Sequence, residues 1–231
     1  NNIDISSGNV AINGTMLAGT ENNTLVTSKT QADELFNTLV NTDNIHAANN
    51  FNNRNGNINI TSGIGTTVSG NMQNLGKGNT TITNDGNGGI IISGQSINHN
   101  GNTTISNNNG ELNVSGTLKN KNGTLQATNN GTNFNVNGTI TNSNGKLALL
   151  NNNGALNINK NSTVSNTGLG ISAIENHGVN GLNSYGDIYS DGNLTMTNTG
   201  SAGLNINSES NITGQKNISV INSGEKGVNV K

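Results

Sequence analysis

The sequence predicts an all-β protein, a right-handed parallel β-helix (a solenoid) built from coils of about 22 to 24 residues with one short helical insertion. Two observations predict this fold. Short apolar patterns recur at that spacing, and the residues between them are mostly Asn, Gly, Ser and Thr. Asn and Gly tolerate the left-handed backbone of tight turns, whereas alternating Ile, Val and Leu favour strands. The combination indicates many short strands joined by many turns.

The repeat is clearest in the middle of the chain, where matching apolar positions lie about 22 residues apart. One set is Ile90, Leu112, Phe134 and Leu156, and a second, two positions later, is Ile92, Val114, Val136 and Ile158. Further strand sites follow at Leu118 and Ile140, and at Leu125, Leu147 and Leu169. Three strands per repeat predict a triangular coil, in which each strand pairs with its counterpart one repeat later.

Towards the end of the chain the repeat lengthens to about 24 residues. The pairs at this longer spacing are Leu182 and Ile206, Ile188 and Ile212, Leu194 and Ile218, Met196 and Val220, and Leu204 and Val228. At roughly 4.8 Å per coil, about nine coils predict a rod about 45 Å long. Two interpretations of the recurring Asn residues are open: amide ladders that satisfy buried polar groups, or solvated turns.

Residues 27–50 interrupt the repeat. Ser28 and Gln31 resemble a capping box, and the apolar positions that follow have helical spacing: Ala32, Leu35, Phe36, Leu39 and Val40. We expect a short amphipathic helix on the outside of the rod. Its apolar residues, Leu35, Phe36 and Leu39 among them, either shield a sheet face or form a recognition element.

The chain as a whole, residues 1–231, is therefore interpreted as a single β-helix with its insertion at 27–50 and regular coils over 57–231. Residues 64–89 are expected to be a second irregular stretch, because Ile58 and Ile90 lie further apart than one coil. The first residues already have the pattern of a strand, so we expect the sequence to be an interior piece of a longer protein.

Composition excludes several classes of partner and site. The chain has no Cys, so it can form neither a disulfide nor a thiolate metal site. The formal net charge is -2 and the only arginine is Arg54, so no basic patch indicates a nucleic-acid partner. No apolar run reaches transmembrane length, and we expect no membrane insertion.

The sequence also gives little support for an enzyme. β-Helical enzymes that act on polysaccharides need clustered carboxylates, and the nearest pairs here are Asp33 with Glu34 and Asp187 with Asp191. The second pair is interpreted as two solvated residues flanking a Tyr-Ser turn. The three histidines are far apart and are interpreted as surface residues: His46, His99 and His177. We therefore expect no catalytic residue, no metal site and no cofactor.

Asn-x-Ser/Thr sequons are numerous, but Asn is about a quarter of the chain, so chance alone accounts for a number of this size. The candidate glycan acceptors are Asn13, Asn59, Asn79, Asn102, Asn122, Asn137, Asn161, Asn193 and Asn211. The remaining sequons are at Asn22, Asn113, Asn130 and Asn217. They are acceptors only where a transferase is present.

Two segments carry a family resemblance: Gly110-Glu111-Leu112-Asn113-Val114-Ser115-Gly116-Thr117-Leu118 and Asp191-Gly192-Asn193-Leu194-Thr195-Met196-Thr197-Asn198-Thr199-Gly200. They resemble exoproteins of the filamentous-haemagglutinin type, which two-partner secretion exports and which include the high-molecular-weight adhesins. The resemblance covers residues 57–231 well and 1–26 loosely. The secretion domain of that family has an Asn-Pro signature. Because the sequence has no Pro, the resemblance implies an interior or distal part.

The resemblance implies a secreted protein at the surface of a Gram-negative bacterium, exported through an outer-membrane transporter. The leading hypothesis is an adhesin segment that attaches to a host cell-surface glycan or protein, or to extracellular matrix. The alternative is a non-binding stalk of a contact-dependent inhibition or cytolytic exoprotein. A β-helical glycan-active enzyme is the remote alternative.

Overall fold

A computed structural model describes residues 3–12, 16–18, 44–47, 50–53 and 56–231. These residues form a parallel β-solenoid of about eight turns, and none of them is helical. The strands are β1 (Ile3–Ile12), β2 (Met16–Ala18), β3 (Asn44–Ala47), β4 (Asn50–Asn53), β5 (Ile58–Val68), β6 (Asn71–Lys77), β7 (Thr80–Asn84), β8 (Ile90–Ile92), β9 (Gln95–Asn100), β10 (Thr103–Asn107), β11 (Leu112–Val114), β12 (Thr117–Asn120), β13 (Leu125–Asn129), β14 (Phe134–Val136), β15 (Thr139–Ser143), β16 (Leu147–Asn151), β17 (Ala155–Ile158), β18 (Thr163–Thr167), β19 (Ser172–Asn176), β20 (Gly181–Ser184), β21 (Asp187–Ser190), β22 (Leu194–Asn198), β23 (Leu204–Ile206), β24 (Ile212–Gly214), β25 (Ile218–Asn222) and β26 (Val228–Val230).

Each coil contributes one strand to each of three faces. Face 1 contains β7, β10, β13, β16, β19, β22 and β25, and face 2 contains β8, β11, β14, β17, β20, β23 and β26. Face 3 is a sheet of nine strands: β2, β4, β6, β9, β12, β15, β18, β21 and β24. The long strand β5 belongs to faces 1 and 2 at once, because its first half pairs with β7 and its second half with β8. The strands pair in parallel on every face.

The core consists of apolar stacks in register along the axis. Val114, Val136 and Ile158 are direct partners in neighbouring coils, and all three are fully buried. Alternation along each strand explains this, since every second side chain points inward. The coil length predicted from these positions is therefore confirmed, as is the fold class.

The prediction that Leu169 is a strand position in register with Leu147 is wrong. Leu147 pairs with Ser172 rather than with Leu169, because the step between these two coils is 25 residues, whereas the preceding step is 22 residues. Two of the three extra residues lie between β17 and β18, and the third widens the corner before β19. Leu169 lies in that corner with 77% of its surface exposed. Corners of a solenoid accept insertions that its paired strands do not.

The predicted step from Leu182 to Ile206 is also wrong. Leu182 pairs with Leu204, and Ile206 pairs with Ser184, so this step is shorter than the sequence indicated. The four other pairs predicted at the longer spacing are in register as expected. Ser184 explains the error, because it occupies a buried, inward position of β20 where the pattern predicts an apolar residue. Ile206 therefore has no apolar partner in the preceding coil that the sequence could indicate.

The stretch 64–89 keeps the coil repeat, and its irregularity is local, since the register of β6 with β9 shifts between Asn74 and Lys77. Ile58 pairs with Thr80, and Thr66 pairs with Ile90, so each step is one coil. Thr66 and Thr80 point inward with 1% exposure. Because both are polar residues, the apolar pattern of the sequence does not indicate these two core positions. At the end of the predicted insertion, Asn44–Ala47 is strand β3, which pairs with β1, and Asn50 begins β4. The residues proposed to be helical lie outside the described residues.

Stacked glycines form the corner that leads from face 3 to face 1. A Cβ placed on Gly145 would lie 1.9 Å from the carbonyl oxygen of Gly123 in the preceding coil. A Cβ on Gly170 would meet the carbonyl oxygen of Gly145 at 1.8 Å. The coils approach so closely here that no side chain fits between them, which explains why Gly recurs at this corner.

Candidate functional site

Among the described residues, no three or more His, Asp or Glu side chains are placed to hold a metal ion. Nor does any helix in the described part have the length and apolarity to cross a membrane. The features left for a function are the polar rows that run along the rod, inside it and on its surface. They follow directly from the repeat, since each row places one residue type at the same position of successive coils.

The first amide ladder runs inside the rod at the end of the face 1 strands. Its members are Asn84, Asn107, Asn129, Asn151, Asn176, Asn198 and Asn222. Each side-chain nitrogen donates to the side-chain oxygen of the next member, at 2.7–2.9 Å. The first six members are fully buried. Ser62 begins the row by donating its hydroxyl to the Asn84 amide oxygen at 2.8 Å.

In six of the seven members, all but Asn129, the side-chain nitrogen also donates to a backbone carbonyl in the corner that follows its strand. Asn176 donates to the Gly178 carbonyl at 2.7 Å, and Asn198 donates to the Gly200 carbonyl at the same distance. An unpaired buried polar group costs about 1–3 kcal/mol, so a buried Asn is tolerated here because its side-chain oxygen and nitrogen both have partners. The ladder therefore fixes corner conformation and coil spacing together.

A second amide ladder lies inside face 3. Asn120 donates to Asn142 at 3.0 Å, and Asn142 donates to Asn166 at 3.1 Å. The row continues through hydroxyl groups, since Asn166 donates to Ser172 Oγ at 3.1 Å and Ser172 bonds Ser190 at 2.7 Å. Both interpretations of the recurring Asn residues are thus correct, each for a different set: strand-end Asn residues form ladders, and others occupy exposed turns.

The second ladder is interrupted at its amino-terminal end. Asn53, Asn74 and Asn98 occupy the same inward position, and their side-chain nitrogens donate to backbone carbonyls. Their side-chain oxygens are buried without a hydrogen-bond partner, as is the hydroxyl of Thr80. Each unpaired oxygen weakens this end of the rod relative to the coils that follow.

Asparagine rows on the outside run in the opposite sense. On face 2, Asn157 donates back to Asn135, Asn183 to Asn157, and Asn205 to Asn183, at 2.8–2.9 Å. Along the corner between faces 1 and 2, Asn130 donates back to Asn108 and Asn152 back to Asn130. The inner ladders donate towards the carboxyl terminus of the chain, and these outer rows donate towards the amino terminus.

The outer surface of face 3 changes character along the axis. A hydroxyl platform occupies its middle, formed by Thr139, Thr141 and Ser143 on β15 and by Thr163, Ser165 and Thr167 on β18. Ser165 donates to Thr141 at 3.2 Å, and Thr167 donates to Ser143 at 2.9 Å. This platform is uncharged, and its side chains alternate with buried core residues.

Charged rows of opposite sign flank the hydroxyl platform. The basic row, one coil before it, contains Lys119 and, directly after the strand, Lys121. The acidic row, one coil after it, contains Asp187 and, directly after the strand, Asp191. None of these four side chains takes part in the ion pairs of the described residues, which are Lys160 with Glu209 and His177 with Glu175.

The prediction of a Tyr-Ser turn between the two residues of the acidic row is wrong. Tyr189 and Ser190 lie in strand β21 rather than in a turn, so Asp187 and Asp191 stand at the two ends of a strand. The Tyr189 hydroxyl donates to one Asp191 oxygen, and the Gly168 backbone N–H donates to the other at 2.8 Å. These bonds, that of Tyr189 first, lower the pKa of Asp191. The same bond to Asp191 raises the pKa of Tyr189.

His99 lies beside the basic row. Its Nδ1 is 3.2 Å from the ammonium group of Lys121, one coil further on. Burial, and then the charges of Lys121 and Lys119, lower the pKa of His99. The imidazole is therefore neutral at pH 7, and the positive charge of this row comes from the two lysines. His177 is more exposed and lies on the corner between faces 1 and 2.

Most of the candidate glycan acceptors lie in exposed turns. Asn79, Asn102, Asn122, Asn137, Asn161, Asn193 and Asn211 are exposed. Asn59 differs, because it lies on strand β5 and its side chain donates to Asp4 at 2.6 Å. The Asn79 and Asn102 side-chain oxygens accept backbone N–H groups of the next coil, which gives both a structural role. Glycosylation stays a prediction. Asn13 and the proposed recognition residues Leu35, Phe36 and Leu39 lie outside the described residues.

The fold and its rows place the chain among repeat proteins of the parallel β-solenoid type. The sequence matches no family model, no curated protein and no solved structure. What the chain does must therefore be argued from its own geometry and from its resemblance to known exoproteins.

Proposed function

We propose that this chain is a stretch of the rigid shaft of a secreted bacterial adhesin, similar to exoproteins of the filamentous-haemagglutinin type. One observation carries the proposal: the first amide ladder continues without a break over seven coils, from Asn84 to Asn222. The ladder connects successive coils through side chains, in addition to the backbone hydrogen bonds that pair the strands on all three faces. Bending the rod would have to break several of these bonds at once. The geometry therefore suits a rigid spacer that carries mechanical load.

The composition supports secretion to the cell surface. A chain without Cys needs no disulfide chemistry before or after it crosses an outer membrane unfolded. Folding outside the cell then needs only the addition of each coil to the edge of the preceding one. In this proposal an outer-membrane transporter is the partner during export. A host-cell glycan, a host protein or extracellular matrix is the partner afterwards.

A coil-duplication series tests the proposal in bacteria that express the full-length protein. Repeating residues 125–146 adds one coil in register, because Leu125 and Leu147 occupy equivalent positions in adjacent coils. The control repeats only residues 125–135, which is half a coil and breaks the register. We expect the first insertion to preserve surface display and host-cell adherence, and the second to abolish both.

Surface display is measured with an antibody on intact cells, and adherence on cultured epithelial cells and matrix-coated wells. Absence of the chain from the surface of intact cells would refute the proposal. Surface display with no contribution to adherence would identify the chain as the spacer of an inhibition or cytolytic exoprotein instead.

A further inference from the structure

The outer surface of face 3 is complementary to itself in charge. Along the axis it presents the basic row, the hydroxyl platform and the acidic row in that order. The basic and acidic rows are three coil steps apart, roughly 14 Å at the spacing of paired strands. Neither row has an ion-pair partner among the described residues. Two separated rows of opposite, unneutralised charge are what a second copy of the same surface could match.

The match requires one particular orientation. A two-fold axis parallel to the strands, between β15 and β18, places β12 of one copy over β21 of the other. Lys121 then faces Asp191 of the second copy. Lys119 faces Tyr189 of the second copy, with Asp187 and Asp191 two residues away on either side along β21. In the middle, Thr141 faces Ser165 of the second copy. A two-fold axis along the rod would instead put lysines over lysines and carboxylates over carboxylates, which is repulsive.

We propose that two copies of this chain pair through face 3 with their rod axes antiparallel. The acidic and basic rows set the orientation at both ends of the contact, and the hydroxyl platform supplies hydrogen bonds in the middle. Ser, Thr and Tyr hydroxyl groups both donate and accept, so the platform can bond its own copy without an arrangement of fixed donors. The contact between Lys121 and Asp191 is formed twice, because the interface is isologous.

The contact is weak as a single pair. Six strands of face 3, from β9 to β24, span about 29 Å along the axis, and each strand is about 17 Å long. The two copies together therefore bury on the order of 1,000 Å², which is the lower limit for a specific interface. Surface ion pairs contribute little each and are screened by salt. Many shafts on one cell surface would multiply this affinity through avidity.

The antiparallel orientation suggests a cellular setting, and here the inference rests on the proposed function. Shafts that project from one cell are parallel to each other, whereas shafts from two facing cells meet antiparallel. Pairing through face 3 would thus hold bacteria to one another rather than assemble shafts on a single cell. The partner chemistry is the chain itself.

Charge-reversed variants of the purified chain test the pairing. The first variant carries Lys119→Glu and Lys121→Glu, and the second carries Asp187→Lys and Asp191→Lys. Sedimentation velocity over a concentration series measures association, and circular dichroism checks that each variant is folded. The control, Lys146→Glu with Lys226→Glu, makes the same charge change outside the strands and the charged rows of face 3. If the second variant fails to fold, Asp187→Asn with Asp191→Asn keeps hydrogen-bond acceptors and removes the charges.

We expect the wild-type chain and the control to associate, and raising NaCl from about 0.05 M to about 0.5 M to weaken association several-fold. Each charge-reversed variant alone should associate at least tenfold more weakly, because like charges then face each other. An equimolar mixture of the two reversed variants should recover association, since the rows of one match those of the other. Removing the acidic charges with Asn should also weaken association.

Three results would overturn the pairing: a wild-type chain that stays monomeric at low salt, reversed variants that associate like wild type, or a mixture that does not recover. A monomeric chain that instead binds a carbohydrate array, with loss of binding on Tyr189→Ala, would reassign face 3 to sugars. These measurements use no cells, so they can succeed where surface display fails, and the two proposals are tested separately.

Discussion

The side-chain nitrogen of Asn129 donates a 2.7 Å hydrogen bond to the side-chain oxygen of Asn151, one coil further on, and both side chains are fully buried. Asn151 in turn donates to Asn176 at 2.8 Å and to the backbone carbonyl of Asn153. A single side chain thus serves two neighbouring coils and its own corner. Its removal leaves a donor on one side and an acceptor on the other, neither within reach of water.

Asn151→Leu is therefore expected to lower the free energy of unfolding by about 2–5 kcal/mol, because each orphaned buried group costs about 1–3 kcal/mol. Urea denaturation followed by circular dichroism measures this. Asn152→Leu is the matched control, since Asn152 is the next residue and its side chain bonds Asn130 on the outer surface. The control should change stability by about 0.5 kcal/mol or less. Similar losses in both variants would contradict the ladder.

A charge in the apolar stack should be far more damaging than the same charge one residue away. Val136→Asp places a carboxylate without a partner in a fully buried position, at a cost of about 3–5 kcal/mol. Asn135→Asp adds the same group on the outer surface, where it can still accept the hydrogen bond from Asn157. Thermal melting should show a large drop for the first variant and little for the second. Equal melting temperatures would refute the coil assignment.

The stacked glycine corner predicts an effect that depends on position. Gly145→Ala forces a Cβ against the Gly123 carbonyl oxygen, so the coils must separate, at a cost of roughly 1–3 kcal/mol. Gly63→Ala meets no atom within 4 Å and should be neutral or stabilising by up to about 1 kcal/mol. Denaturant midpoints of the two variants measure the difference. A stable Gly145→Ala would show that the corners can yield.

His99 makes stability depend on pH. Burial and the two lysines lower its pKa below 6.5 in the folded chain, so the unfolded chain binds the proton more readily. Stability should therefore fall as the pH drops from above 6.5 through the folded pKa, and then level off for this group. Lys121→Gln should raise the pKa of His99 only in part, because burial is the larger cause. A histidine NMR titration measures both, and an unchanged pKa would contradict the contact.

Metal removal should leave the fold intact. Because the described residues offer no cluster of carboxylate or imidazole ligands, stability must come from packing, backbone pairing and the amide ladders. We expect the thermal midpoint to be the same with and without a chelator. A drop of several degrees on adding the chelator would reveal a site that neither the sequence nor the fold indicates.

The sequence predicted the strands better than it predicted the corners. Val114 and Val136 could be aligned because paired strands cannot change length without losing register. Leu169 could not, because corners accept extra residues, and an apolar residue in a widened corner looks the same in the sequence as a core residue. Inward Thr and Ser residues such as Thr66 and Ser184 caused the other errors.

The ladders were open to two interpretations because Asn is so common in this chain. A local signal would have separated them: each member of the first ladder follows an inward core residue by two positions, as Ile105 precedes Asn107 and Leu149 precedes Asn151. The charged rows of face 3 had no such signal. Lys119 and Asp187 are far apart in sequence, and only the register of four strands brings them onto one surface.

The opposite senses of the inner and outer asparagine rows have an electrical consequence. Each residue of a strand is rotated by about half a turn about the strand relative to the residue before it. A side chain that leans towards one end of the rod is therefore followed by one that leans towards the other end. Inward amides such as Asn129 and outward amides such as Asn157 therefore point their dipoles in opposite directions. Either row alone would give the rod a positive and a negative pole, and its dipole moment would grow as coils were added. With both rows present the dipoles offset each other, so a shaft of this design can lengthen without becoming a macroscopic dipole.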